Sequence, residues 1–487
     1  MARRPNLLYI HSDQHNPFVT GCYGDSLVQT PHLDQLAREG TLFHNVYCSS
    51  PLCGPSRASM LTGQQPYQHQ VWTNQHMLDS AIPTLAHALG AAGYRPVLIG
   101  RLDVMGPDQL HGYTARLVGD HTPNYVGGPE PDRGILTGAN DPERASLERT
   151  GAGLSAYQVH DEDVAAAAVE FLETYAAGKD AEPFNLTLGF MLPHAPFVAR
   201  REDYDQFAGQ VPLPSKPRPI EVERHPHLRW WRGHTESAVV AEAEVARARA
   251  AYWALVSRLD ALIGQVLTTL ARLGLRENTL IVYTSDHGDM LGEHGLWWKH
   301  VFYEESVKVP LIVSWPGVLP AGQQLNQVVS ALDVGATILD ALGAPPLPHG
   351  SGRSLLPLIR GEAPDWEDVA FSEYCVDQFC PPEGCFHRMV RQGDWKLIYY
   401  HGQPPQLFNL ADDPAELIDR AGDPDCAAIQ AALTEQLLAD WDPDWVRERL
   451  AAKRADLAIL RDWAKQTEPA ETIRWQMRPD MNFLEEV

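Results

Sequence analysis

The sequence predicts an α/β protein: a mostly parallel sheet sandwiched by helices, then a smaller C-terminal α+β subdomain and an extended tail. Two observations carry this. Short apolar runs, NLLYIHS (6–12), RPVLIG (95–100), FNLTLGFMLP (184–193), TLIVYTSDHG (279–288) and VPLIVSWPG (309–317), alternate with stretches of helical periodicity. Strands covered by helices on both sides are apolar on both faces, and their alternation with helices marks parallel crossover units. No internal repeat is visible.

Each element has a local cause. The first strand ends at Asp13. Thr30 and Pro31 open a helix, Thr30 as N-cap and Pro31 at the first helical position, and Gly40 stops it. Ile82-Pro83-Thr84 introduces the helix TLAHALGAAG ahead of the strand at 95–100. Residues 103–155 are rich in Gly, Pro and Asp and read as loops. An Ala-rich helix (161–177) precedes the strand 184–193, which stops at His194. Residues 198–235 are polar and Pro-rich, and a long helix over 236–273 leads into the strand at 279. After about residue 365, HRMVRQGDWKLIYY and QLFNLADDPAEL read as a meander of short strands, followed by amphipathic helices over 427–440 and 443–465. The closing TIRWQMRPDMNFLEEV has too little apolar periodicity to fold alone and is expected to lie on a neighbour or on its own body. This divides the chain into a main domain (1–365), a subdomain with a small antiparallel sheet (366–450) and a helical or extended tail (451–487), a candidate oligomer contact.

The 487 residues include 39 basic and 63 acidic side chains, a net charge of −24. That acidity argues against nucleic acid as a partner, because phosphate binding rests on Lys and Arg. A composition of 44% hydrophobic and 21% charged residues excludes a disordered, collagenous or coiled-coil chain. No apolar run reaches the length of a bilayer-spanning helix. The opening MARRPNLLYIHSD has too short an apolar stretch for a signal peptide. No membrane partner and a cytoplasmic location are expected. Seven cysteines, an odd number spread over the chain, do not form a disulfide framework. Cys375, Cys380 and Cys385 are evenly spaced with His387 nearby, but without the spacing usual for zinc, and read as ordinary buried or loop thiols. The sequon Asn185-Leu-Thr187 falls inside an apolar strand and is discounted.

Asp13, His194 and the pair Asp286-His287 each sit where an apolar strand stops. In a parallel α/β sheet the carboxyl ends of strands form the ligand crevice. Two carboxylates and an imidazole gathered there suit one divalent cation. In SSPLCGPSRASMLTG (49–63), Pro55 fits the first turn of a helix, which puts Cys53 at that helix's N-terminus. The dipole and free N–H groups there favour an anion, and Arg57 lies one turn along. By position alone, Cys53 suits either a thiolate nucleophile or a structural thiol.

The string CGPSRASMLTG resembles the signature of type I sulfatases, C-x-P-S-R followed by L-T-G. The resemblance extends to TPHLDQLAREG, TSDHGDMLGEHG, Lys299, VPLIVSWPG, GDWKLI and LFNLADDPAEL. It implies an alkaline-phosphatase-like core and a catalytic role for the main domain. It also implies oxidation of Cys53 to formylglycine by a maturation enzyme. The aldehyde hydrate offers one hydroxyl to attack sulfur or phosphorus, with Asp286 as base. Deprotonation of the second hydroxyl then expels the inorganic oxyanion by C–O cleavage, which a serine ester could not do. By the same resemblance the metal ligands are Asp13, Asp286, His287 and the side chain of residue 53, and Arg57 holds the hydrate. Lys299 and His194 face the leaving oxygen, and Asn74 bonds a nonbridging oxygen.

The chain departs from the common pattern where Gln14 follows Asp13 and where His287 replaces an Asn. Both features resemble the choline-sulfatase and phosphonate monoester hydrolase branch. The run Gly100-Arg101-Leu102-Asp103 replaces G-K-x-H: Arg101 keeps a positive charge near the anion, and Asp103 either takes the proton in the elimination or orients Arg101. Oxygen ligands suit Ca2+, whereas one imidazole shifts the preference towards Mn2+. Trp72, Trp297, Trp298, Tyr303 and Phe197 either line a wall for an aryl or quaternary ammonium group or pack within loops. The expected function is hydrolysis of aryl or small alkyl sulfates by a homo-oligomer, dimer or tetramer. The alternatives are phosphonate monoester or phosphodiester hydrolysis at the same site, a non-catalytic metal-stabilised binding protein, and a cysteine hydrolase using Cys53, His194 and an Asp.

Overall fold

Eight strands build the main sheet: β1 (Asn6–Asp13), β2 (Thr41–Tyr47), β3 (Arg95–Gly100), β4 (Ala115–Arg116), β5 (Phe184–Pro193), β6 (Thr279–Ser285), β7 (Leu311–Ser314) and β8 (Gln323–Ser330). The computed structural model describes residues 4–140, 142–178, 182–377 and 384–485. The strand order is β8-β2-β7-β6-β1-β5-β3-β4. Strand β1 is central and runs parallel to both neighbours, with Leu8 opposite Leu186 of β5 and Ile281 of β6. Only β7 runs antiparallel to its neighbours β2 and β6. The five expected strands are present. The sequence reading missed β2, β4 and β8. Strand β4 is two residues long, and β8 (QQLNQVVS) is an edge strand whose first half is partly exposed, so neither has a continuous apolar run.

Helices cover both faces. On one side lie α1 (Pro31–Arg38), α4 (Ala156–Ala177) and α5 (Glu242–Arg272). On the other lie α2 (Cys53–Thr62), α3 (Leu85–Ala91) and α6 (Leu332–Leu342). The pleat explains the division, since Tyr9 and His11 of β1 meet Met60, Leu61 and Leu85 of α2 and α3. Thr30 stands at the N-cap position of α1, but its hydroxyl bonds the Gly21 amide and Asp34. The His32 and Leu33 amides are taken instead by the carboxylate of Asp260 on α5. Helix α5 starts at Glu242 rather than 236 because Glu236 adopts a left-handed φ of 52°. By length and hydropathy α5 could span a membrane, but 61% of the apolar window is buried inside the protein, as in a core helix.

A second, antiparallel sheet follows: β9 (Val369–Val376), β10 (Cys385–Gln392), β11 (Trp395–Tyr400) and β12 (Gln406–Asn409). Helices α7 (Ala427–Leu438) and α8 (Pro443–Thr467) cover it, with Leu397, Leu407, Leu437 and Leu450 in a core of their own. The expected boundary at residue 450 falls inside α8, which runs unbroken because Leu450 and Leu457 are both buried. The tail then returns to its own main domain. Trp475 N–H bonds the Asp120 carbonyl at 2.8 Å, and Phe483 and Leu484 pair with Leu154 and Gly153.

Cys375 turns its thiol to Glu373, while Cys385 and His387 stand beside His227. Cys375 and Cys385 therefore do not converge on one zinc site, and Cys380 lies outside the described residues. Cys385 is disulfide-bonded, which corrects its reading as a plain thiol. Asn185 is fully buried in β5, as expected of a sequon inside a strand.

Candidate active site

The strand order β6-β1-β5 assembles the site. In register, Ser12 lies opposite Ser285 and Asp13 opposite Pro193. Asp13, Asp286-His287 and His194 therefore emerge from the carboxyl ends of three neighbouring strands. Helix α2 begins at Cys53, where Leu52 still has extended backbone, and all ten of its residues are buried. Its first free amide, that of Gly54, is taken by Asn74 Oδ1 at 2.9 Å, leaving the Asn74 NH2 as the half of the amide available to a substrate oxygen.

Cys53 Sγ lies 3.7 Å from Asp13 Oδ1 and 3.1 Å from His287 Nε2. Donor atoms of Asp13, Cys53, Asp286 and His287 all lie within 4.8 Å of one another. His287 Nδ1 faces the Gly288 carbonyl at 3.0 Å, which places its proton there and turns the Nε2 lone pair to the cluster. Burial holds His287 down to about 4, so the imidazole is neutral. Two carboxylates, an imidazole lone pair and residue 53 fit a divalent cation.

Arg57 clamps this set, with Nε 2.8 Å from Asp286 and Nη2 3.1 Å from Asp13. Burial pushes the Asp13 carboxyl up, but Arg101, His194, Arg57 and Lys299 together hold it well below the usual range. Asp286 is held at about 2, against burial and Asp13, by His287 and Arg57. Its oxygens also accept the Gln14 and His287 amides. It is a ligand-type carboxylate and a weak base. Arg57 bonds both carboxylates.

Lys299 Nζ is 3.3 Å from Cys53 Sγ, 2.6 Å from Gln14 Oε1 and 2.8 Å from His194 Nε2. His194 donates from Nδ1 to the Ala195 carbonyl at 2.6 Å, so Nε2 is the acceptor of the lysine. Burial and then Lys299 keep His194 neutral, whereas Cys53, Asp13 and Asp286 raise Lys299 despite its burial. Burial, reinforced by Asp13, pushes the unmodified Cys53 thiol up, which argues against a free thiolate nucleophile.

Arg101 spans Asp13 (Nε, 2.5 Å), Asp103 (3.1 Å) and Asp120 (3.3 Å). Asp103 has a left-handed φ of 57°, and its Oδ2 is buried without a hydrogen-bond partner. Burial raises it to about 6, with Arg101 pulling down and Asp120 pushing up.

A cleft of about 440 Å³ opens beside Leu52 and Asn74, lined also by Glu143, Trp231, His234, His300, Tyr374 and the ion-paired Asp377 and Arg454. The tryptophans expected there lie elsewhere. Trp72 donates its indole N–H to Glu373 at 2.7 Å and packs in the C-terminal core. Trp297 is buried against a different cleft, with Pro214 and Arg218. Trp298, Tyr303 and Phe197 are core side chains. An apolar residue beside a polar loop is satisfied equally by the core, and spacing does not distinguish the two. Gln14, Asp120, Trp231 and Tyr374 were missed as site residues. Only Gln14, next to Asp13, carried a local signal.

The sulfatase family profile matches residues 5–344, and the profile of the N-sulphoglucosamine sulphohydrolase C-terminal region matches 292–441. A choline-sulfatase of Rhizobium meliloti is 35% identical over 95% of this chain and 92% of its own. Arylsulfatase K of Danio rerio is 31% identical over 85% of this chain and 80% of its own. The crystal structure of a phosphonate monoester hydrolase of Agrobacterium radiobacter superposes with a TM-score of 0.75 at 28% identity, covering 92% of this chain and 96% of that one. A crevice at parallel strand ends, a candidate cation site and a buried ammonium beside it define a hydrolase of oxyanion esters with the alkaline-phosphatase-like fold. Within that class the chain belongs to the sulfatase family, and it is a sulfuric ester hydrolase.

Proposed function

We propose that the protein cleaves sulfate monoesters of aryl or small alkyl alcohols, with residue 53 in its formylglycine form and one divalent cation, Ca2+ or Mn2+. The observation that carries this is the convergence of Cys53 on Asp13, Asp286 and His287. Those three side chains and residue 53 would hold the cation, which supplies Lewis-acid polarisation of the ester. The hydrated aldehyde supplies a nucleophile that can later be released by elimination. Arg57 fixes the two carboxylates. Lys299 and His194 carry, across a 2.8 Å contact, the proton a leaving oxygen needs. Asp103, with a free buried oxygen, is placed to accept the proton in the elimination. The cleft beside Leu52 and Asn74 takes the alcohol part, between Trp231 and Tyr374.

The test joins three measurements. The Cys53 peptide should be about 18 Da lighter than the unmodified one. An aryl sulfate should release sulfate. Chelation should abolish turnover, and Mn2+ or Ca2+ should restore it. Converted, metal-loaded protein that cleaves no sulfate or phosphonate ester overturns the proposal. Similarity to a phosphonate monoester hydrolase favours a second reading, phosphonate monoester or phosphodiester cleavage at the same site. Comparing kcat/KM across matched esters separates the two.

The same reading includes a formylglycine-generating partner, a cytoplasmic location and a homo-oligomer, dimer or tetramer. Exposed Ile459 and Trp463 on α8 and Phe483 in the tail support an apolar subunit contact. Light scattering tests it, with a monomer at micromolar concentration as the contrary result. Five free cysteines among the described residues fit a reducing compartment, although the disulfide at Cys385 departs from it. Cell fractionation decides.

A further inference from the structure

We propose that Asp120 is a positioning residue for Arg101 and Asp103, and that the C-terminal tail holds it in place. This rests on the site reading above. Asp120 is 3% exposed and follows the short strand β4. Its Oδ1 meets Arg101 at 3.3 Å, and its Oδ2 accepts the Asp103 amide at 2.9 Å. One carboxylate thus fixes both the guanidinium that bonds Asp13 and the backbone of a residue in a left-handed conformation. Arg116, 3.6 Å away, balances the charge.

The tail closes over the backbone that carries this side chain. Trp475 N–H bonds the Asp120 carbonyl at 2.8 Å, and Arg474 Nε bonds the His121 carbonyl at 2.9 Å. The Trp475 indole donates to Asp163 and sits edge-on to His160, which in turn faces the Gly119 carbonyl at 3.0 Å. Thr472 N–H bonds Asn124 at 2.7 Å. The approach is close enough that a Cβ on Gly119 would lie 1.5 Å from the Ile473 carbonyl oxygen. Residues more than 350 positions apart therefore set one another's geometry, and no residue of the tail is needed at the reacting atoms.

Two variants of the full chain test this. Asp120→Asn keeps an oxygen for the Asp103 amide and removes the charge that holds Arg101. Gly119→Ala displaces the tail and leaves every site side chain chemically unchanged. Backbone hydrogen exchange over 101–105 is expected to rise about tenfold or more in Gly119→Ala. In both variants kcat should fall about tenfold or more while KM stays within about threefold, since Arg101 and Asp103 act on bond-making rather than on substrate capture. Unchanged exchange over 101–105 in Gly119→Ala removes the tail from the proposal, whether or not the wild type turns over. Active wild type with an unchanged kcat in Asp120→Asn overturns the positioning role. Absence of turnover in converted wild type, with exchange raised as expected, counts against the enzyme reading alone. Equal losses in kcat and thermal stability across both variants would mark a merely structural role and also overturn it.

Discussion

Replacing Lys299 by methionine isolates the group that faces both residue 53 and the leaving side. The ammonium makes three contacts, to Cys53, Gln14 and His194, from a fully buried position. A preorganised donor aimed at developing oxyanion charge in a dry site lowers the barrier by an amount whose loss costs about 100- to 1,000-fold in kcat. Stability responds differently. Removing the ammonium returns a desolvation penalty of about several kcal/mol. Orphaning the Gln14 and His194 acceptors costs about 1–3 kcal/mol each. The two offset, so Tm should shift by less than about 5 °C. The kinetic loss should depend on the alcohol. Nitrophenolate leaves with little help, whereas an alkoxide needs its charge met, so Lys299→Met should impair an alkyl sulfate at least about tenfold more than 4-nitrophenyl sulfate. Steady-state kinetics on the two esters, with differential scanning calorimetry, give both readouts. Equal losses on the two substrates, or a kcat within about threefold of wild type on the alkyl ester, would refute the assignment of Lys299 to the leaving side.

Three further outcomes follow from the geometry. Cys53→Ser should give a single burst and then stall as a stable ester, because serine has no second hydroxyl on its carbon; sustained turnover in rapid-quench experiments would contradict this. Asp103 titrates near 6, so it loses its acceptor role as pH falls through that value, and kcat should decline below pH 6. Asp103→Asn should lower the plateau and abolish that acidic limb in a pH–rate profile; a limb that persists unchanged assigns it to another group. Trp72→Phe should leave KM unchanged but destabilise by about 1.5–3 kcal/mol through loss of one hydrogen bond to the buried Glu373 carboxylate, measured by urea unfolding, whereas Trp231→Ala should raise KM.

Those parts of the fold written as continuous apolar runs were readable, and so were the donors that terminate them. Asp13, His194 and Asp286 could be found because a parallel sheet brings strand ends together whatever the intervening length. Cys53 could be placed at a helix start because Pro55 permits only the first turn. What escaped depends on contacts that leave no periodic trace. Strand β8 is half polar, and β7 reverses direction without any change in composition. Asp120 looks like any loop aspartate until Arg101 is seen beside it. Left-handed backbone at Gln14, Asp103, Trp298 and His300 clusters around the site. None of these is a glycine, so the sequence gives no hint of the strain. The tryptophans misled for the opposite reason, since proximity along the chain to Asn74 or Lys299 does not say on which side of a loop an indole is buried.

Cys53 is 1% exposed in the finished fold. Its neighbours arrive late: Asp286, just past the end of β6, and Lys299 beyond it are made more than 200 residues after it. During synthesis the segment 49–63 therefore leaves the ribosome long before the walls that will enclose it exist. A catalyst that oxidises residue 53, as proposed above, would have that interval to reach the thiol. With β6 paired to β1 and Cys53 enclosed, the finished fold would offer such a catalyst no comparable access.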